Sequence, residues 1–164
     1  MAELGRAIRE LHDAEVDLAD AFRAAGERHA ADHDVYHLSH TLAKQSEEHA
    51  AKLRPLAARY GEDLDEPGEA GVVDSVLETV RRKGSELAGR NPKAGLLLLA
   101  DLRRLYLLAE ECLIDATMVK QGAMARQDKE LLETVSSSLA ETEVQVKWLK
   151  TRIKTAAPQI LAVG

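Results

Sequence analysis

His49 stands where a helical repeat calls for an apolar residue. It closes the stretch Gln45-Ser46-Glu47-Glu48-His49, inside a pattern in which Val35, Leu38, Leu42, Ser46, His49, Leu53, Leu56 and Tyr60 recur at steps of three and four. That spacing marks the seam of a helix packed against partners. A seam that turns polar for one layer and then apolar again is either a buried polar tie or a site. Three further patterns break in the same way. Glu15 interrupts Leu4, Ile8, Leu11, Leu18, Phe22 and Ala25. Cys112, with Glu111 and Asp115 beside it, lies on a face made by Leu98, Leu102, Leu105, Ala109, Ala116 and Val119. Thr142, between Glu141 and Glu143, interrupts Leu132, Val135, Leu139, Val146, Leu149 and Ile153. All these breaks fall near mid-helix, so they meet at one level whichever way each helix points.

Two chemistries compete at that level. Glu15 with His49 is either a buried hydrogen-bonded pair that fixes the register of two helices, or part of a metal site. Glu111 and Asp115 are like charges one turn apart; they repel unless a cation or base sits between them, and otherwise splay to the surface. Cys112 reads most simply as a small core residue, with a thiol made unreactive by burial. A second cluster, His29, His33, His37 and His40, steps by four, four and three. His33 and His37 share a helical face and could hold zinc or nickel if another ligand approached; the cluster is otherwise a solvated face, or a sensor of mildly acidic pH. No Gly-x-Ser-x-Gly elbow and no phosphate-cradling glycine loop occurs.

The elements that must position these residues are helices. Ala, Leu, Glu, Arg and Lys dominate, and aromatics amount to 3% of 164 residues. The periodicity predicts helices over about 2–29, 34–60, 92–121 and 128–155, with a shorter amphipathic helix over 72–89. Asp32 or Asp34 is a candidate cap for the second helix, Asn91 with Pro92 opens the one at 92, and Asp128 caps the last. Pro55 is expected to kink or shorten the second helix, Gly122 to Gln127 reads as a loop, and Pro158 begins a loose tail. The acidic, glycine-rich stretch from Gly61 to Gly71 reads as a linker. The expected architecture is all-α: an antiparallel four-helix bundle filling residues 1–157. Its one long crossover, between the second and third long helices, contains the short extra helix.

Charge narrows the class. Net charge is −6 with both signs interspersed, which argues against nucleic acid as a partner. The longest apolar run is far below membrane-spanning length, and no charged-then-apolar leader precedes the first helical pattern. One cysteine cannot form an internal disulfide, so a cytoplasmic setting is expected. The expected partner is another copy of the chain, in a dimer or larger homo-oligomer, with a different protein as the other candidate.

The order of these motifs resembles the ferritin-like superfamily, and within it a bacterial stress-associated branch. The stretches that carry the resemblance are Leu11-His12-Asp13-Ala14-Glu15, Ser46-Glu47-Glu48-His49, Leu108-Ala109-Glu110-Glu111 through Asp115, and Leu139-Ala140-Glu141-Thr142-Glu143. The resemblance spans most of the chain and rests on order and spacing. It implies a mid-bundle site of about six ligands, a Glu from each of two helices and a Glu-x-x-His from each of the others. Carried over residue by residue, the ligands are Glu15, His49, Glu111, Asp115 and one of Glu141 or Glu143. Iron, manganese and zinc are the candidate metals, and the implied role is stress response or metal handling. The chain departs from that pattern at two places. Ser46 stands where the acid of the first Glu-x-x-His belongs, and Val144, not His, follows Glu141 by three. The expectation is therefore a degenerate site without full di-iron chemistry; the alternative is a structural or interaction bundle with no metal.

Overall fold

The computed structural model describes residues 2–65 and 93–163. Among them the chain is all-helical, with α1 over Ala2–Arg28, α2 over His33–Ala58, α3 over Ala94–Arg126, α4 over Lys129–Pro158 and a π-helical turn at Gln159–Val163. The short helix expected over 72–89, and the start signal at Asn91 and Pro92, lie outside the described residues. None of these helices is long and apolar enough to cross a membrane.

Helix ends follow local chemistry. Asp32 accepts a hydrogen bond from the Val35 N–H at 3.2 Å and caps α2; Asp128 does the same for Leu131 at 3.1 Å and caps α4. Gly61, at φ 80°, takes the left-handed conformation that ends the turn after α2. α2 runs on past Pro55 as far as Ala58, a little short of the expected end at 60; the proline sits in the last turn, where losing one backbone donor costs little continuity. Two other expectations are corrected. The expected loop at Gly122 to Gln127 is helix as far as Arg126, and the turn is made by Gln127 alone at φ 56°. A Cβ on Gly122 would lie 2.7 Å from Leu4 Cδ1, so the glycine lets α1 seat a leucine on α3 there. The tail expected from Pro158 onward is wound into the π-helical turn, with Ile160 packed against Gly95.

α1 packs on α2 and α3, α3 packs on α4, and α2 meets α4 along fewer residues. Charged clamps join the ends. Arg9 near the start of α1 donates to Glu62 beyond the end of α2. Asp128 at the start of α4 receives the Tyr60 hydroxyl at 2.6 Å and Arg59 at 3.1 Å. At the other end Arg152 of α4 donates to Asp32 at 2.6 Å, and Arg28 with His29 hold Asp101 of α3 at 2.7 Å.

The core is two apolar clusters with a polar layer between them. One gathers Ile8, Leu11, Leu53, Leu56, Val119, Leu131 and Val135. The other gathers Leu18, Phe22, Ala43, Leu102, Leu105, Cys112 and Leu149. Between them lie the buried polar residues Glu15, Ser46, His49, Thr142 and Gln145. Two seams run differently from the expected ones. On α2 the buried positions before Ser46 are Val35, Ser39 and Ala43; Leu38 is exposed and Leu42 half-buried. The helices approach closely there: a Cβ on Gly26 of α1 would lie 3.1 Å from the Ser39 Cβ and 3.4 Å from the His40 ring. On α4 the fully buried line is Leu131, Val135, Ser138, Thr142, Gln145 and Leu149, with Leu132, Leu139 and Val146 on its flank.

Candidate functional site

Glu15 on α1 and His49 on α2 are 1% and 2% exposed. The His49 Nδ1 lies 3.3 Å from Glu15 Oε1, and its Nε2 lies 3.6 Å from Glu141 Oε1 on α4. One carboxylate therefore addresses each ring nitrogen. Both separations exceed the roughly 2.7–2.9 Å of a charge-assisted hydrogen bond. Neither Glu15 oxygen and neither His49 nitrogen completes a hydrogen bond. The contacts are Coulombic, and between the buried Glu15 and His49 such attraction is weakly screened.

The balance at His49 can be worked through. Burial is the largest single influence and disfavours the charged ring. Glu15 and then Glu141 favour it, and together they outweigh burial, so the imidazole is held above its ordinary 6.5. His49 is therefore flanked by two carboxylates that favour its protonated form, one fully buried and one partly exposed.

The rest of the layer is quieter. Thr142 turns its hydroxyl back to the Ser138 carbonyl at 2.8 Å. Gln145 donates to Gln45 Oε1 at 2.7 Å and lies 3.5 Å from the Ser46 hydroxyl. The Cys112 thiol is pushed far up by burial first and then by Glu15, Asp115 and Glu111, so it stays protonated and unreactive. Asp115 is half-buried and raised by burial, with Glu111 and Glu10 adding to the effect.

The six expected ligands are thus divided. Glu15, His49 and Glu141 come together; Glu111 and Glu143 are exposed, and Asp115 belongs to an acidic patch with Glu111 and Glu10. The helix faces explain this. Cys112 and Thr142 point into the core, and each neighbour in sequence is turned about 100° away. Glu15 and Glu141 flank the ring at different nitrogens and do not converge on one point. Among the described residues no three His, Cys, Asp or Glu side chains are grouped so as to hold a metal ion. The residues present do not fit the di-metal centre that the resemblance implies.

The histidine cluster is also split. His29 pairs with Asp101 at 2.7 Å, which together with Arg28 outweighs burial and holds that carboxyl below its usual range. His40 Nε2 lies 2.9 Å from the buried Glu27. His33 and His37 are exposed, with their rings edge to face at 4.5 Å. Reading the sequence missed Gln145, which is fully buried and bridges α4 to α2. The available signal was the strict four-three spacing from Leu131 to Leu149, which passes through Ser138 and Gln145 where Leu139 and Val146 sit one position away.

Compared with known protein families, with curated proteins and with solved structures, the chain matches none.

Proposed function

We propose that this chain is a ferritin-like bundle in which the metal-binding level has become a charge-paired histidine that sets helix register, and that it acts as a structural or interaction protein without redox catalysis. In this reading the helices run antiparallel to their neighbours and the connection between α2 and α3 is the crossover. The end clamps support it, since each joins the start of one helix to the finish of another: Arg9 with Glu62, Asp128 with Tyr60, and Arg152 with Asp32.

The observation that carries the functional reading is the geometry at His49. A di-iron site needs carboxylates converging on two points with a histidine at each. Here the carboxylates stand at the two nitrogens of one imidazole, and Ser46 takes the place of the acid that would complete the motif. A buried charged pair contributes little net stability compared with apolar packing, but it penalises every other helix register, because a shift strands a charge in the core.

One observation favours a second reading. The unpartnered Glu15 oxygens and His49 nitrogens, 3.3 Å apart at their nearest, are spaced as two neighbouring ligands of a single divalent cation would be. A chain that handles metal would use that pair. The two readings separate in elemental analysis of protein produced with iron, manganese and zinc supplied, beside Glu15→Ala and His49→Ala. The register reading expects no metal in the wild type above the level in either variant. A metal present in a fixed ratio to the wild type and lost in both variants would replace it with the cation reading.

A further inference from the structure

α3 is apolar on two opposite sides. One side builds the core through Leu102, Leu105, Ala109, Cys112, Ala116 and Val119. On the other, Leu96, Leu107, Ile114 and Met118 are 50–57% exposed, although side chains of this size usually find cover. With Ala100 they fall within about 20° of a single line down the helix at 3.6 residues per turn. The line has two gaps, and charges fill both. Arg103 and Arg104 lie between Ala100 and Leu107; Glu110 and Glu111 lie between Leu107 and Ile114. Helical geometry puts Arg104 and Glu111 on one flank of the line and Arg103 and Glu110 on the other. Arg103, Arg104 and Glu111 are exposed and form no ion pair among the described residues; the Tyr106 hydroxyl, one turn back, contacts Glu110.

This pattern is its own complement when reversed about Leu107. We propose that the outer face of α3 is an interface between two copies of this chain, the two α3 helices packing antiparallel about a two-fold axis at Leu107. A two-fold interface is self-complementary: whatever one residue meets on the partner, that partner residue's copy meets in return. On one flank Arg104 faces the partner's Glu111, and on the other Arg103 faces the partner's Glu110. Leu107 lies on the axis beside its own copy, Met118 covers the partner's Leu96, and Ile114 covers the partner's Ala100. The charges select the orientation. A parallel pairing in register would set arginines against arginines and glutamates against glutamates at the same height, which is a repulsive arrangement. The apolar line supplies the association and the flanks choose its direction, as expected where exposed ion pairs are individually weak. The proposal is independent of the reading of His49, whose contacts are to α1 and α4.

Sedimentation equilibrium on the full chain tests it. The wild type is expected at about twice its 17.9 kDa chain mass. Arg103→Glu/Arg104→Glu and Glu110→Arg/Glu111→Arg should each sediment as monomers with unchanged far-ultraviolet circular dichroism. An equimolar mixture of the two should regain the doubled mass, because every flank then pairs opposite charges. A cysteine scan does not depend on those charge variants folding. Leu107→Cys should cross-link to its own copy under mild oxidation while Met118→Cys should not, since the two Met118 positions lie about 33 Å apart along the antiparallel helices. A wild type that stays monomeric at every concentration, charge variants that remain dimeric, or Met118→Cys cross-linking as readily as Leu107→Cys would each overturn the proposal.

Discussion

At the scale of the residue, the chain turns on one imidazole. His49 is the only buried group that meets two carboxylates among the described residues, and the buried Glu15 has no hydrogen-bond partner of its own there. Removing one member should therefore be worse than removing both. Glu15→Leu leaves His49 buried beside a partly exposed Glu141, and should cost about 3 kcal/mol, the lower end of the range for stripping one partner from a buried pair, because an imidazolium can shed its proton. The double variant Glu15→Leu/His49→Leu should come within about 1 kcal/mol of the wild type or exceed it. Urea unfolding followed by circular dichroism at neutral pH measures both, and a double variant weaker than the single one would contradict the pairing. Glu15 and His49 were legible in the sequence as polar residues in apolar seams. Which of Glu111, Asp115, Glu141 and Glu143 faces inward was left open. Periodicity shows that a residue lies near a face, but a shift of one position turns it by about 100°, and only packing decides which neighbour faces in.

At the scale of the element, small residues set how closely helices approach. Gly5 of α1 and Gly122 of α3 differ in what they meet. A Cβ on Gly5 would lie 2.7 Å from the Tyr60 carbonyl oxygen, which is backbone and cannot yield. A Cβ on Gly122 would meet only the end of the Leu4 side chain, which can turn aside. Alanine in a helix interior is worth up to about 1 kcal/mol over glycine. Gly122→Ala should therefore be neutral or slightly stabilising in thermal unfolding, whereas Gly5→Ala should lose about 1–2 kcal/mol to overpacking. Equal effects at the two sites would show that the helix contact is looser than described. The same closeness explains the misread seam of α2. The sequence pattern favours Leu38 and Leu42, but the residues that meet Gly26 are Ser39 and His40. Hydrophobic periodicity locates helices well and their innermost line less well, because it ranks side chains by polarity when the limit is space.

At the scale of the whole molecule, the helical content and most helix positions were readable from period and caps; Asp32 and Asp128 cap where the sequence placed them. What binds the helices to one another was less readable. Arg152 with Asp32, and Tyr60 and Arg59 with Asp128, join residues far apart in the chain, and no local pattern announces such pairs. His49 acts at this scale too. Its folded pKa is raised above the ordinary 6.5, so its contribution to stability is complete below that value and is lost as pH rises through the raised folded value. The direct measurement is a nuclear magnetic resonance titration of the His49 imidazole in the full chain, assigned with His49→Gln and repeated on Glu15→Gln. The account predicts a midpoint above 6.5 that falls when Glu15 loses its charge. A midpoint at or below 6.5, or one that Glu15→Gln leaves unmoved, would contradict it.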